Sequence, residues 1–220
     1  HQKSKIIIHH TAQTTNQTNT LQDEINELQQ IYQYHTINRR RWDIGYNFIA
    51  GILKHIREIS LITNPLITSY KKLASSRIGS YVGWTSDSTN LNTVIQIIPS
   101  FIENDVMIQI SNVDVSCNSH LALSLLLEAG LDGITNNLLP PQEMEASSFN
   151  KSDTDLSLQN ITRLPLSMEE AIYEFKKSTF AQRVLGNDIF QKYIEIKERE
   201  YKEYAETVSE WELNKYMGDY

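Results

Sequence analysis

The chain reads as an α+β protein: an antiparallel sheet with helices toward the C-terminus, preceded by a short strand–helix unit. Three observations predict this. Apolar residues recur at three- and four-residue spacing before residue 60 and again beyond Asn118, the stripe of amphipathic helices. Between Tyr70 and Ile110 the period drops to two or to short apolar runs, which is strand behaviour. Polar clusters rich in Ser, Asn, Asp and Gln punctuate these stretches.

In chain order, Lys5-Ile6-Ile7-Ile8 is a short β-branched run that predicts a buried strand ending at His9-His10-Thr11. A Thr/Asn/Gln loop follows, then Leu21, Ile25, Leu28, Ile31 and Tyr32 mark a helix that ends before Asn38. Trp42 to Gly51 is a second aromatic and aliphatic segment, and Ile52, Leu53, Ile56 and Ile59 continue the helical period until Asn64-Pro65 stops it. Ser80-Tyr81-Val82-Gly83-Trp84, Val94 to Ile98 and Val106 to Ile110 predict antiparallel strands joined by polar turns. Helices are then predicted over His120 to Gly130 with Gly130 as C-cap, Ser167 to Lys177 with a Ser167/Glu170 capping box, and Ala181 to Glu206. Residues 142–160 read as an excursion loop. Asp132 falls to a turn, Trp84 to the core and Trp211 to a terminal helix, while His55 and His120 read as ordinary histidines rather than ligands.

The composition narrows the function classes. With 220 residues and 40% hydrophobic content the chain can bury a core, so a soluble globular protein is expected. The net charge is -7, the pI is near 5.4, and the basic residues are scattered apart from Arg39-Arg40-Arg41. Nucleic acid and membrane are therefore poor partners. The single cysteine, Cys117, excludes an internal disulfide framework and a Cys-rich zinc site, and points to a reducing, cytoplasmic setting. No apolar run approaches the roughly 20 residues that span a bilayer. The opening His1-Gln2-Lys3, with no initiator Met, suggests a fragment or a processed start.

Several phrases carry a family resemblance. Phe48-Ile49-Ala50-Gly51-Ile52-Leu53-Lys54-His55, Thr63-Asn64-Pro65, Ser69-Tyr70-Lys71-Lys72-Leu73, Leu121-Ala122-Leu123, Ala129-Gly130-Leu131-Asp132-Gly133-Ile134, Leu164-Pro165, Leu185-Gly186 and Val208-Ser209-Glu210-Trp211-Glu212 occur in this order. Over 48–220 the chain resembles the C-terminal part of the glutamine synthetase catalytic domain, in incomplete form. The resemblance implies a site that moves the γ-phosphoryl group of ATP to glutamate with Mg²⁺ or Mn²⁺ and then admits ammonia. That chemistry rests on positive charge around the transferred phosphoryl group.

Five positions depart from the pattern the resemblance implies. Lys72 stands where the family phrase has an arginine gripping the glutamate carboxylate, and a point charge does not reproduce a bidentate fork. Leu91 and Gln96 stand where two arginines face phosphate, Gln109 where a glutamate holds metal, and Ser111 where an arginine meets substrate. The segment matching the family's glutamate-bearing flap, Ala74 to Ser80, contains no carboxylate. Single preorganised electrostatic contacts are worth about 3 to 4 kcal/mol in a transition state. The expectation is a degenerate, non-catalytic module with no cofactor, acting by self-association or by association with synthetase-type subunits. The rival reading is a residual glutamate–ammonia or amine ligase completed within an oligomer.

Over 1–47 a second resemblance arises from Ile6-Ile7-Ile8-His9-His10-Thr11, Tyr34-His35 and Trp42-Asp43-Ile44-Gly45-Tyr46-Asn47-Phe48. These are similar to the N-terminal part of zinc N-acetylmuramoyl-L-alanine amidases and peptidoglycan recognition proteins, which would make His9 a relic zinc ligand and Tyr46 a relic catalytic residue. A catalytic zinc needs three protein ligands, which His9 and His10 do not supply alone. Peptidoglycan binding or Zn²⁺ amidase activity is thus a third reading. The two resemblances meet within Tyr46 to Gly51, where a fusion, a decayed gene and an assembly artefact all fit. Two apolar stripes are expected to lack cover if both parts are cut from larger folds: Ile52, Leu53, Ile56 and Ile59, and then Phe190, Tyr193, Ile194, Lys197 and Tyr201.

Overall fold

A computed structural model describes residues 44–76, 78–87, 89–99, 106–144 and 162–217. The expected strand at Lys5 to Ile8, His9, the helix at Leu21 to Tyr32 and most of the loop at 142–160 lie outside the described residues.

The first described element is α1 (Ile44–His55), whose last turn carries the basic residues Lys54 and His55, types suited to a helix C-terminus. A turn follows at residues 56–59, then α2 (Ser60–Thr63) and α3 (Ile67–Ser76), with Asn64-Pro65 forming the elbow between them. The sequence expectation began the strand region at Tyr70, but Tyr70 and Leu73 are buried residues of α3. Strands β1 (Tyr81–Thr85), β2 (Thr93–Pro99) and β3 (Val106–Ile110) follow and pair in that order.

The sheet is mixed rather than antiparallel. β2 and β3 pair antiparallel from Ile95↔Ile110 to Pro99↔Val106, whereas β1 and β2 run parallel, with Tyr81 opposite Thr93 and Trp84 opposite Ile95. Alternation records which face a side chain takes, not the direction of the neighbouring strand, so the pattern does not separate the two pairings. After Thr85 the chain turns back where the Thr89 N–H and hydroxyl donate to Asp87 Oδ1 at 2.9 and 2.7 Å. It then lies beside the start of β1, where Gly79 donates to the Leu91 carbonyl and Tyr81 to that of Asn92. The other edge of β1 is covered by residues 162–164, through Val82 N–H to the Thr162 carbonyl and Leu164 N–H to that of Ser80.

Helix α4 (Ser119–Thr135) starts at Asn118, whose side chain accepts from the His120 and Leu121 N–H groups. It runs through Gly130 and Asp132, so Gly130 is not a C-cap and Asp132 is not in a turn. Gly130 stays glycine for a packing reason: a Cβ there would strike the Phe48 ring. The α1–α4 contact is closest at Gly51 and Gly133, where each backbone occupies the space a Cβ on the other would need.

The C-terminal layer comprises α5 (Met168–Lys176), α6 (Thr179–Leu185), α7 (Asn187–Ala205) and α8 (Glu210–Tyr216). The single helix expected from Ala181 to Glu206 is broken at Gly186, whose φ of +76° ends α6. Ser167 caps α5 alone. Its partner in the expected box, Glu170, instead accepts from Leu166 N–H and Arg57. A reciprocal capping box does form at Ser209 and Glu212, opening α8.

Both stripes expected to lack cover are largely packed within the chain. Ile52, Leu53, Ile56 and Ile59 are buried, as are Phe190, Ile194 and Lys197, while Tyr193 and Tyr201 are partly buried against the same core. Phe175 stacks on Phe190 with ring centroids 4.9 Å apart, and the Tyr193 hydroxyl donates to the Leu61 carbonyl at 3.1 Å. Among the described residues no helix is long and apolar enough to cross a membrane.

Ser178, buried between α5 and α6, caps α6 by accepting from Ala181 N–H at 2.8 Å. Ser178→Ala is expected to lower stability by about 1–2 kcal/mol, since it loses both the cap and the hydrogen bond to Glu58, and Ser178→Asp to lower it further by burying a second carboxylate beside Glu58. Urea unfolding midpoints of the two variants check this, because the polypeptide and its slope stay comparable.

Candidate functional site

The positions that the synthetase resemblance singles out fall around the strand ends and the α2–α3 elbow. Gln96 of β2 is buried, and its Nε2 donates to the Asn90 carbonyl at 2.6 Å. Gln109 of β3 is its direct antiparallel partner and is exposed. Leu91, which precedes β2, presents 47% of its surface to solvent. Asn90 in turn donates to the Met144 carbonyl, and Trp84 Nε1 to that of Pro141 at 2.8 Å, so residues 141–144 are held against β1.

The elbow is a knot of short polar side chains. Asn64 Nδ2 donates to the Asn112 carbonyl at 2.6 Å, Thr63 Oγ1 to Asn64 Oδ1 at 2.9 Å, and Asp114 N–H to the Thr63 carbonyl at 2.9 Å. Ser111, just past β3, donates its N–H to the Val94 carbonyl, while its buried hydroxyl has no hydrogen-bond partner among the described residues. Lys72 is exposed on α3, and its charge acts on Asp114. Burial pushes the Asp114 carboxyl up, but hydrogen bonds from the Ser116 hydroxyl and N–H, helped by Lys72, hold it below its ordinary value.

Thus Gln96 and Gln109 are brought together and Lys72 is linked to the loop after β3, while Leu91, next in the chain to the Asn90 that holds Gln96, is exposed. Tyr46 is 42% exposed near the start of α1 and meets Trp84, which lies opposite Ile95 of β2, edge-on at 5.5 Å. His9 lies outside the described residues.

The donors at these positions are amides, a hydroxyl and an ammonium, whereas Mg²⁺ and Mn²⁺ want carboxylate oxygens. Among the described residues no three His, Cys, Asp or Glu side chains gather to hold a metal ion. These side chains do not fit a divalent cation bridging phosphates.

Sequence reasoning passed over the densest charged cluster. His55 is buried with Nδ1 against a Glu58 carboxylate oxygen and Nε2 3.0 Å from Asp132 Oδ2. Lys54 Nζ reaches the same Asp132 oxygen at 2.8 Å, and the imidazole stacks on Phe180 at 3.9 Å. Burial alone would raise the Glu58 and Asp132 carboxyls, yet both titrate below their ordinary values. At Glu58 the His55 contact, aided by Ser178, offsets burial; at Asp132 Lys54 does so first and His55 second. The signal was in the sequence as Lys54-His55 and Asp132, but 77 residues separate His55 from Asp132.

A second cluster links α5 to the turn after α1. Arg57 donates to the Arg163 carbonyl and pairs with Glu170 and Glu174 at 3.0 Å each. Buried Lys197 joins α7 to the elbow by donating to the Pro65 carbonyl at 2.6 Å, and pairs with Glu200 of its own helix at 2.7 Å. These contacts set the frame on which the strand ends sit.

The model of the glutamine synthetase catalytic domain matches residues 32–216. Glutamine synthetase of Methanosarcina mazei is 37% identical over 172 residues, covering 78% of this chain and 38% of that protein. The Thermotoga maritima enzyme is 36% identical over 171 residues, with 77% and 38% covered, and that of Clostridium saccharobutylicum 34% over 178, with 80% and 40%. The chain therefore spans about two-fifths of the length of these relatives. The fold is similar to a solved structure described as Apo GmaS without ligand, at TM-score 0.62 and 22% identity over 79% of this chain and 38% of that one. It is also similar to a GmaS/ADP complex, at TM-score 0.64 and 21% identity over 80% and 40%. The family match begins at residue 32 and takes in Tyr46, and the amidase resemblance finds no support in these comparisons. The chain belongs to the glutamine synthetase catalytic-domain family.

Proposed function

We propose that this chain is a synthetase-family module that does not turn over glutamate and acts through association, with itself or with synthetase-type subunits. The observation that carries the reading is Gln96. At a position the resemblance gives to a phosphate-facing arginine, the side chain is neutral, buried and committed to the Asn90 carbonyl at 2.6 Å. At the other positions Leu91 offers a phosphate no donor, Gln109 offers a metal no charge, and Lys72 sits in the field of Asp114. Phosphoryl transfer depends on positioned positive charge, so these replacements remove the means of catalysis rather than tune it. ATP with Mg²⁺ or Mn²⁺ would enter only if a neighbouring subunit supplied the missing groups.

The association half rests on α8 and the residues around it. Val208, Trp211, Leu213, Tyr216 and Met217 are all exposed, and α8 buries no residue against the other described residues. Aromatic side chains in this state are suited to anchoring a partner surface. A cytoplasmic setting fits the free thiol of Cys117, which burial pushes above its ordinary value and so makes less reactive.

Purified chain supplied with glutamate, ammonia, ATP and either Mg²⁺ or Mn²⁺ is expected to release no glutamine and no phosphate above background. Product that tracks the chain's concentration would overturn the non-catalytic reading. Light scattering after size exclusion checks the association, where a mass above the 25.4 kDa monomer is expected. A Trp211→Ala/Tyr216→Ala variant should shift toward monomer while keeping its unfolding midpoint.

A further inference from the structure

We draw no further inference here: the strongest candidate, the exposed apolar face of the C-terminal helix α8 with Trp211, Leu213 and Tyr216, belongs to the association already proposed, and nothing in the structure shows what covers it.

Discussion

Gly51→Ala is expected to destabilise the chain by about 3 kcal/mol or more, at or above the usual cost of overpacking a core. The reason is geometric. A Cβ at Gly51 would meet the Ala129 carbonyl oxygen and the backbone N and Cα of Gly133, and none of these belongs to a side chain that can swing away. Relief requires the α1 and α4 backbones to separate, and that loosens Phe48 from Gly130 and Ile52 from its core neighbours. Against a total stability of about 5–15 kcal/mol, a loss of this size removes a large share. Gly45 is the internal control, because it lies in the same helix with nothing within 4 Å of a built Cβ. Gly45→Ala should be neutral or gain up to about 1 kcal/mol from helix propensity. Urea titration followed by circular dichroism separates the two. Equal midpoints for both variants would show that the α1–α4 seam is looser than described.

Much of the scaffold was legible because local periodicity suffices for it. Val94 to Ile98 and Val106 to Ile110 emerge as strands and His120 lies in the first turn of a helix, but the helix expected to run on to Asn64-Pro65 ends at His55, and the short α2 is what stops at that elbow. What periodicity leaves out is the identity of the neighbour. The parallel β1–β2 pairing, the passage of α4 through Gly130 and the break at Gly186 each depend on contacts between distant segments or on a single backbone angle. The expectation of uncovered stripes failed for the same reason. It assumed that the partners of Ile52 and Ile56 lay in absent elements, whereas α4 of the same chain lies against α1.

The candidate site shows a similar division. Comparison with a family phrase locates Lys72, Leu91, Gln96, Gln109 and Ser111, but only the fold reveals that Gln96 is committed to Asn90 while Gln109, directly opposite, faces solvent. Clustered charges sit elsewhere among the described residues, in joints between helices at His55 and Arg57.

His55→Leu tests the larger of those joints and is expected to cost about 2–3 kcal/mol near neutral pH. Breaking a fully buried pair costs about 3–5 kcal/mol, and the lower figure allows for the 23% and 19% exposure of the Glu58 and Asp132 side chains. Leucine keeps apolar contact with Phe180, so the loss reports the two carboxylates left facing an alkyl group. The pH dependence gives a second readout. Both carboxyls titrate below their ordinary values in the folded chain, so their contribution is present above the unfolded carboxylate range and is lost as pH falls through the folded values. In the parent chain, stability should therefore decline between about pH 5 and pH 2 with these two groups contributing. In His55→Leu the decline from these groups should be smaller and should end at higher pH, since the folded values then lie closer to the unfolded ones, most of all at Glu58, while Lys54 still holds Asp132 down. Asp87 supplies the contrast. Its carboxyl is also lowered, but by Thr89 within one exposed turn, so Asp87→Asn should leave the pH profile nearly unchanged. Unfolding midpoints measured across that pH range for the parent and both variants decide the matter, and parallel curves for parent and His55→Leu would remove His55 from the account of what holds α1, α4 and α6 together.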